Sequence, residues 1–446
     1  MKHQRLFFWS ATAALAGFLF GFDAIVISGA EQKIESIWDL GPGMHGLCMS
    51  AALWGTVLGS LLGGWPTERF GRRKTLIWIG VLYFVSAVGS AVAPETYFFM
   101  VARFIGGLGV GIATVASPLY ISELSPARLR GRLAGMFQFN IVFGILIAFL
   151  SNYLLGRYLD EDVAWRWMLG VEAIPAFLYS VLCLSIPESP RWLIVHGGRR
   201  EQGTEVFRQI NPDLSASQLA ELVDSVAASA GDRATAARFF TWRLKTPILL
   251  AFFIAFFNQL SGIGAILFFA PRIFEWTGLG KSAALLQSVG IGVTNLAFTY
   301  VGLWLIDKLG RRSLLYIGSV AYIVSLGACA WAFHVDYLNI VPWCIFAFIA
   351  AHAVGQGTVI WVFISEIFPN RNRAAGQALG SFTHWFFCAA LTLAFPKVFA
   401  VLSPASIFGF FCLMMVLQLL WVRLMVPETQ GVSLEEMQHK LGIRPE

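Results

Sequence analysis

Two charged side chains lie deep inside long apolar stretches of this sequence. Residues 6 to 30 contain a single ionisable side chain, Asp23, within GFDAIVISGA at 21 to 30. A carboxylate at the centre of a membrane helix costs about 2.5 to 3.5 kcal/mol, so it normally faces a cavity or a charged partner. Arg103 is the only basic residue buried deep in another such stretch. The pKa of a buried carboxyl changes when a neighbouring cation approaches or moves away, so such a group can take up and release a proton. A fixed ion pair that never titrates is the alternative.

These side chains must be positioned by membrane helices. Of the 446 residues, 57% are hydrophobic and 13% charged, against roughly 25% charged in an average soluble domain. Runs of about 20 apolar residues, each long enough to cross a bilayer as a helix, recur twelve times. The sequence therefore predicts an all-α integral membrane protein with twelve transmembrane helices. We place the spans at residues 6–30, 45–66, 75–93, 97–121, 133–155, 165–186, 246–275, 282–306, 313–333, 340–366, 376–402 and 405–426.

The basic residues predict the orientation. With both termini in the cytoplasm, 25 of the 32 Lys and Arg residues fall in inner segments and six in outer loops, with Arg103 inside a helix. The positive-inside rule favours this arrangement. The first span is too long for a cleavable signal peptide and carries Asp23. The same asymmetry accounts for the net charge of +6, so we expect no nucleic-acid partner and place the chain in the cell membrane.

Three pairs of similar segments indicate an internal duplication. ERFGRRKTL (68–76) matches DKLGRRSLL (307–315), ISELSPARLRG (121–131) matches ISEIFPNRNRA (364–374), and PESPRW (187–192) matches PETQGV (427–432). The offsets of 239, 243 and 240 residues are nearly equal, as expected of a repeat. An even number of spans in each copy gives parallel topology. We expect a six-helix half at 1–186, a cytoplasmic helical linker at 187–245, a second six-helix half at 246–427 and a cytoplasmic tail at 428–446.

The linker and the cysteines carry no sign of enzyme or cofactor chemistry. Leu219, Leu222, Val223 and Val226 recur at helical spacing, which predicts a short amphipathic helix on the cytoplasmic face. The chain contains no phosphate-binding G-x-x-x-x-G-K-[ST] loop, no H-E-x-x-H and no G-x-S-x-G. The six cysteines fall in predicted spans at no metal-ligand spacing, which favours packing. We expect neither an enzyme, nor a cofactor, nor a metal site.

Nine motifs in order resemble one known family over essentially the whole chain. They are GFDAIVISGA, ERFGRRK, RFIGGLGVG (103–111), PLYISELSPARLRG (118–131), PESPRWL, NQLSGIG (258–264), LIDKLGRR (305–312), SEIFP (365–369) and PETQGVSLEEM (427–437). In these motifs the chain resembles the sugar porters of the major facilitator superfamily, which include bacterial proton-coupled xylose and galactose symporters and animal glucose facilitators. The resemblance implies alternating-access transport of a small-molecule sugar by a monomer in the lipid bilayer. It also places Arg103 beside Asp23, an arrangement typical of the proton-coupled members.

The resemblance implies a gate on the cytoplasmic face. Carboxylates and guanidinium groups at adjoining helix ends can pair bidentately, and pairs formed in one conformation favour that conformation. In the family such networks close the cytoplasmic side. The alternative is that these charges are solvated and only fix the topology. Glu68 stands where the family usually has aspartate. The candidate gate residues are Arg69, Arg72, Glu123, Arg130, Glu188, Asp307, Arg311, Glu366 and Arg373.

The resemblance also implies a solute site built from amides and aromatic rings. Amides donate and accept hydrogen bonds, as hydroxyls do, and an indole can cover the apolar face of a sugar. Packing between helices is the alternative reading of each residue. For His384 in particular, a packing role is as well supported as direct contact with the solute. The candidate residues are Gln138, Asn258, Gln259, Asn295, Trp361, His384 and Trp385.

Several departures from the family fall on this same surface. Asn258 precedes Gln259 where a glutamine pair is typical, Gly264 replaces an asparagine, and Phe268-Phe269 replaces a tyrosine pair. These changes imply a different sugar, or a cargo with fewer hydroxyls. In span 10, GTVIW (357–361) lacks both prolines of the usual motif, which removes the expected cause of a helix break there. Gly355 and Gly357 remain as positions able to loosen that helix.

Three functions compete at this point. Proton-coupled symport of a hexose or pentose is favoured because passive facilitators commonly have a neutral residue in place of Asp23. Passive facilitation of a sugar or polyol is the alternative. A nutrient sensor without transport activity is remote, because only about 20 residues follow span 12 and such proteins usually carry a signalling extension.

Overall fold

The computed structural model describes residues 4–126, 129–228, 239–369, 371–432 and 434–443. The regular elements in these residues are α-helices joined by short turns and 3-10 segments. The helices are α1 (Gln4–Val26), α2 (Glu31–Ile37), α3 (Pro42–Leu62), α4 (Gly64–Phe70), α5 (Arg72–Val92), α6 (Thr96–Leu124), α7 (Arg130–Tyr158), α8 (Glu161–Gly170), α9 (Ala173–Leu184), α10 (Pro190–Val195), α11 (Arg200–Ile210), α12 (Ala216–Ala228), α13 (Lys245–Leu260), α14 (Ile263–Phe268), α15 (Ala270–Glu275), α16 (Lys281–Leu309), α17 (Arg311–His334), α18 (Val341–Val354), α19 (Gln356–Ile367), α20 (Arg373–Val401), α21 (Pro404–Met425) and α22 (Leu434–Lys440).

Twelve stretches of the described chain are long and apolar enough to cross a membrane, which confirms the predicted number. Most of their ends lie within four residues of the predicted ones; span 7 ends earlier. Spans 1 to 12 are Gln4–Gly29, Pro42–Leu62, Arg72–Val92, Thr96–Leu124, Gly135–Tyr158, Glu161–Leu184, Trp242–Phe268, Lys281–Leu309, Arg311–His334, Leu338–Ile367, Arg373–Val401 and Pro404–Met425.

Three of the described spans are interrupted: span 6 at residues 171–172, between α8 and α9, and spans 7 and 10 at glycines. In span 7, α13 ends at Leu260, and Gly262 adopts φ +88°, a left-handed conformation that favours glycine, before α14 begins. In span 10, α18 ends at Val354 and Gly355 adopts φ −88°, ψ −100°, outside the helical region, before α19 begins. Span 10 is therefore broken although both usual prolines are missing. A single glycine provides the conformational freedom instead.

The chain divides into two compact units that do not follow the two sequence halves. The first unit contains Met1–Ala24, Gly55–Ile145 and Leu169–Ala236. The second contains Ile25–Trp54, Leu146–Met168 and Ala237–Glu446. The second unit thus combines one end of spans 1, 2, 5 and 6 with spans 7 to 12. The predicted proton site falls in the first unit and most of the predicted solute site in the second.

The linker forms the amphipathic helix that the sequence indicates. In α12, Leu219, Val223 and Val226 are buried and Leu222 is partly buried, all packed on the hydrophobic core of the first unit. The preceding helix α11 buries Val206, Phe207 and Ile210 in the same core. These helices are therefore docked on the first unit through their apolar faces.

Candidate proton and solute site

Asp23 and Arg103 form a buried ion pair in the first unit. Asp23 lies near the end of α1 and is 1% exposed, and Arg103 lies on α6 and is 2% exposed. Arg103 Nη1 donates to Asp23 Oδ1 at 2.6 Å, and Nη2 donates to the main-chain oxygen of Asp23 at 2.9 Å. That oxygen belongs to the last turn of α1, where carbonyl groups lack a helical donor. The structure thus brings together the two residues of the predicted proton site.

A second buried carboxylate, Glu172, lies close enough to interact electrostatically with both members of this pair. It immediately precedes α9 and is 0% exposed. Neither of its carboxylate oxygens accepts a hydrogen bond from a donor among the described residues, and Asp23 Oδ2 and Arg103 Nε also lack a partner, but the carboxyl groups of Glu172 and Asp23 lie close enough to share a hydrogen bond once one of them is protonated. Two carboxylates and one guanidinium leave an excess negative charge in a buried place. One bound proton removes that excess, so the cluster can hold a proton.

Sequence reasoning missed Glu172, although the signal was present. It is the only acid within the predicted span 165–186, and the argument made for Asp23 applies to it without change. Gly106 in RFIGGLGVG helps to form the cluster. A Cβ atom at Gly106 would lie 2.3 Å from Ser86 Oγ and 3.5 Å from Asp23 Oδ1. The glycine therefore allows α6 to approach α5 beside the carboxylate.

Asn258, Gln259 and His384 are joined by hydrogen bonds in the second unit. Asn258 and Gln259 lie in the last turn of α13, just before the break in span 7. Gln259 Nε2 donates to Asn258 Oδ1 at 3.1 Å and lies 3.1 Å from Nε2 of His384 on α20. Gln259 Oε1 is buried and has no hydrogen-bond partner among the described residues. The capacity of this oxygen to accept a hydrogen bond is therefore unused within the described residues.

An aromatic group continues the same cluster. The ring of His384 lies 5.4 Å from that of Trp361 on α19 and 4.9 Å from that of Trp385, measured between ring centroids. Trp361 is half-buried and Trp385 is buried. The structure thus brings five predicted solute residues together, with amide, imidazole and indole groups side by side.

The other two predicted solute residues lie apart from this hydrogen-bonded cluster. Asn295 is buried on α16, and no hydrogen bond of the described residues joins it to Gln259 or His384. Gln138 is half-buried on α7 and belongs to the first unit. Their roles in solute binding stay predictions.

The predicted gate residues of the first unit form a network around Arg72. Its Nε and Nη2 donate to the two carboxylate oxygens of Glu123 at 2.9 and 2.7 Å. Glu188 accepts from the main-chain N–H of Arg72 at 2.8 Å and of Arg73 at 3.1 Å. Burial raises the pKa of Glu188 above its usual value and outweighs these hydrogen bonds, which lower it.

The second copy repeats this geometry. Arg311 Nε and Nη2 donate to Glu366 at 3.1 and 2.8 Å. Glu428 accepts from the main-chain N–H of Arg311 at 2.9 Å and of Arg312 at 3.0 Å, as Glu188 does in the first copy. Burial acts to raise the pKa of Glu428, but hydrogen bonds from the N–H groups of Gln430, Arg311 and Arg312 outweigh it and lower the pKa. Each copy thus pairs an arginine with a glutamate and caps a helix with a second glutamate.

The remaining predicted gate residues differ in their surroundings. Asp307 is mostly exposed, and its Oδ1 lies 3.5 Å from Arg311 Nη1. Arg69 is exposed and Arg373 half-buried. The side chain of Arg130 lies outside the part of the chain that the structure describes. The gating role of all nine residues stays a prediction, because the ion pairs and hydrogen bonds described in each network join residues of one unit only.

A further ionic cluster in the second unit links α2 to α15. Arg272 Nε and Nη2 donate to the two oxygens of Glu31 at 2.8 Å each, and Arg272 also donates to Glu35. His45 Nε2 lies 3.1 Å from Glu31. Burial acts to lower the pKa of Arg272, but the two glutamates outweigh it and raise the pKa. The carboxylate and imidazole atoms lie within 4.8 Å of one another, as metal ligands would, but the guanidinium already occupies the carboxylates.

Comparisons with known proteins agree with this architecture. The profile of the family described as "Sugar (and other) transporter" matches residues 9–441. The D-xylose-proton symporter of Escherichia coli (strain K12) is 34% identical, over 97% of this chain and 95% of that protein. The arabinose-proton symporter of Bacillus subtilis (strain 168) is 31% identical, over 98% and 94%.

Solved structures match equally well. The inward-open xylose transporter XylE from E. coli superposes with a TM-score of 0.86 at 32% identity, covering 98% of this chain and 99% of that one. Its partially occluded inward-open form gives 0.85 at 31% identity, covering 96% and 99%. Together with the twelve spans and the duplicated arginine networks, these matches show that the chain belongs to the sugar transporter family of the major facilitator superfamily.

Proposed function

We propose that this chain is a symporter that couples the entry of a monosaccharide, a hexose or pentose, to that of a proton by alternating access. The observation that carries the proposal is the buried cluster of Asp23, Arg103 and Glu172. A transporter that only equilibrates its solute needs no titratable group, and an unbalanced buried charge is costly to keep. Relatives whose names state proton coupling to xylose and arabinose support the same reading.

The cluster suggests how a proton is held and released. With one proton bound, the two carboxylates and the guanidinium are neutral together, which suits a buried environment. A conformational change that admits water to Asp23, or moves Arg103 away from it, alters the balance of desolvation and ion pairing. The proton is then exchanged with the solution on the accessible side. Binding of solute in a different part of the molecule is coupled to this step through the conformational change.

The second cluster supports a polyhydroxylated solute. Gln259 presents an unpartnered acceptor, and Trp361 and Trp385 supply indole groups beside it. A solute hydroxyl can donate to Gln259 Oε1, while an apolar ring face packs on an indole. Phe268 and Gly264 offer no hydrogen bond nearby, so the solute makes fewer polar contacts with span 7 than a site rich in amides would provide.

The same features bear on the membrane location of the protein, the side on which its termini lie and its function as a monomer. The twelve spans and the transporter relatives place the chain in the plasma membrane as a multi-pass protein. We place both termini on the cytoplasmic side, because this choice puts most Lys and Arg residues inside. Each chain carries its own proton and solute clusters, which supports function as a monomer.

Transport by purified protein in proteoliposomes tests the proposal. Vesicles with an alkaline interior are exposed to a panel of labelled pentoses, hexoses and polyols in acidic buffer. We expect one sugar to accumulate above its external concentration, and a protonophore to abolish that accumulation. An external pH electrode should record proton entry when the unlabelled sugar is added without an imposed gradient.

Passive facilitation predicts a different result in the same vesicles. A facilitator would equilibrate the sugar to equal concentrations with or without the pH gradient, and proton entry would be absent. A chain that moves no sugar or polyol in either direction would contradict transport of this cargo class. The nutrient-sensor alternative predicts binding without any flux.

A further inference from the structure

A chain of buried amides lies behind the solute cluster, and the proposed function does not use it. Asn258 Nδ2 donates to Gln356 Oε1 at 3.3 Å, and Gln356 Nε2 donates to Gln418 Oε1 at 2.8 Å. Gln418 Nε2 donates to Ser319 Oγ at 2.8 Å, and Ser319 Oγ donates to the main-chain oxygen of Leu315 at 2.7 Å. The four residues are at most 1% exposed. We call these four residues the amide relay.

The relay joins two interrupted spans, 7 and 10, to two continuous ones, 9 and 12. Asn258 lies three residues before the break in span 7, and Gln356 is the first residue of α19, directly after Gly355 in span 10. Gln418 lies on α21 and Ser319 on α17. Hydrogen bonds between buried amides are costly to leave unmade. The relay therefore ties both breaks to α17 and α21 of the second unit.

The end of the relay fixes the direction of every bond in it. In the structure the hydroxyl of Ser319 donates to the main-chain oxygen of Leu315, one turn earlier in α17, and in this arrangement it is not free to donate to Gln418. Gln418 must then turn its NH₂ group to Ser319 and its oxygen to Gln356. The same reasoning turns the NH₂ group of Gln356 to Gln418 and its oxygen to Asn258.

This direction reaches the solute cluster. Asn258 gives its NH₂ group to Gln356, so its oxygen remains to accept from Gln259 Nε2. Gln259 thereby uses its NH₂ group within the protein, toward Asn258 and His384, and keeps Oε1 unpartnered. Gly264 places no side chain against that oxygen; a Cβ atom there would lie 3.3 Å from it.

We propose that Gln356 is a positioning residue that sets the polarity of the solute site. Through Asn258 it makes Gln259 present a carbonyl oxygen rather than an N–H group, so the site selects a solute hydroxyl that donates at this place. This inference rests on the proposed sugar cargo but not on proton coupling. It predicts discrimination between a hydroxyl and a group of similar size that accepts but does not donate.

Binding of fluorinated sugars to the purified full-length protein tests the inference. The probes are D-xylose and D-glucose, each with the series of analogues in which a single hydroxyl is replaced by fluorine. Fluorine does not donate a hydrogen bond. We expect one position of a series to bind the wild type at least about tenfold more weakly than the parent sugar, because the site is built to accept from that hydroxyl.

The relay variants should lose this discrimination. In Gln356→Met, Gln259 is free to turn its NH₂ group toward the solute, so the ratio between parent sugar and that analogue should fall toward one. Gln418→Met and Ser319→Ala should act in the same direction from further along the relay. Ser325→Ala is the matched control, because Ser325 is a buried serine of the same helix that lies outside the relay. A general loss of packing would weaken parent and analogue alike and leave the ratio unchanged.

Each outcome has a distinct meaning. An unchanged ratio in folded, monodisperse Gln356→Met and Gln418→Met proteins would overturn the positioning role and leave the proposed function intact. A wild type that binds parent and fluorinated sugars equally at every position would overturn the requirement for a donor. A wild type that binds neither sugar series, nor any pentose or hexose of the transport panel, would contradict the proposed cargo, and the inference with it.

Discussion

The most informative perturbation replaces the carboxylate of Asp23 by an amide of nearly the same shape. In Asp23→Asn, the amide oxygen of the new side chain can still accept from Arg103. Of the two carboxylates in the cluster, Glu172 alone remains to balance the guanidinium charge. That pair is neutral without a bound proton, whereas the wild-type cluster needs one. We therefore expect the variant to exchange sugar by counterflow but to lose all uphill accumulation.

The size of the effect follows from the proton count of the cluster. Two carboxylates and one guanidinium require a single proton for neutrality, which implies one proton for each sugar. A proton that moves through 100 mV releases about 2.3 kcal/mol, and each 1.4 kcal/mol corresponds to a tenfold concentration ratio. The wild type should therefore accumulate sugar up to about fiftyfold for each 100 mV of proton-motive force. Uptake by Asp23→Asn should stop when the ratio of internal to external sugar concentration is about one.

Proteoliposomes with an imposed pH gradient measure both quantities in one preparation. Asp162→Asn is the matched control, since Asp162 is a mostly exposed carboxylate paired with Lys33, and it should accumulate sugar as the wild type does. Accumulation at the wild-type level in Asp23→Asn would refute the assignment of the proton to this cluster. Glu172→Gln leaves Asp23 and Arg103 balanced without a proton, so wild-type accumulation in that variant would refute the proton count.

Three further predictions concern the ionic networks. Arg72→Met should lower the free energy of unfolding by roughly 3 to 5 kcal/mol, because it leaves the buried Glu123 without its arginine. Arg311→Met should lower it by only about 1 to 3 kcal/mol, because Glu366 is more exposed than Glu123. Thermal unfolding in detergent compares the two variants, and an equal or reversed order would contradict this reasoning. Arg272→Met leaves the fully buried Glu31 without its arginine and with only His45 beside it among the described residues, so it should lower the unfolding temperature more than Lys33→Met does. The folded-state pKa of Glu428 is lowered, so its contribution to stability is present above the usual carboxyl pKa and is lost as the pH falls through the lowered folded-state pKa. Glu428→Gln should therefore destabilise at pH 7 and approach the wild type only as the pH falls well below the usual glutamate pKa of about 4.3. A loss independent of pH would contradict the hydrogen-bond explanation.

The sequence predicts much of this molecule because membrane helices leave strong local signals. A run of 20 apolar residues needs no partner to be recognised, so the twelve spans were placed close to their observed ends. The pairing of Asp23 with Arg103 follows equally simply, because few charges exist within the spans to choose from. The duplicated loop motifs likewise predicted arginine–glutamate pairs, which the structure shows in each copy.

Polar residues without charge are harder to interpret from sequence. Gln356 and Gln418 are 62 positions apart and look like any other amides in an apolar helix. The sequence around each amide does not indicate which other amide it faces, because that depends on how four helices pack. The break in span 10 was also hard to predict. Proline is the usual local signal for such a break, and the chain reaches the same result with Gly355, whose backbone conformation only the folded structure reveals.

The two halves of the chain are alike in their arginine networks and differ in their other polar clusters. The arginine networks next to spans 3 and 9 agree almost atom for atom, including the glutamate that accepts two main-chain N–H groups. The two units differ in their other polar clusters: the first holds the cluster of Asp23, Arg103 and Glu172, and the second holds the amide relay. A proton site needs an uncompensated charge and low exposure, whereas a sugar site needs neutral groups that donate and accept. The Asp23–Arg103–Glu172 cluster and the Asn258–Gln259–His384 cluster share no residue, so we expect a conformational change rather than a shared side chain to couple proton and solute.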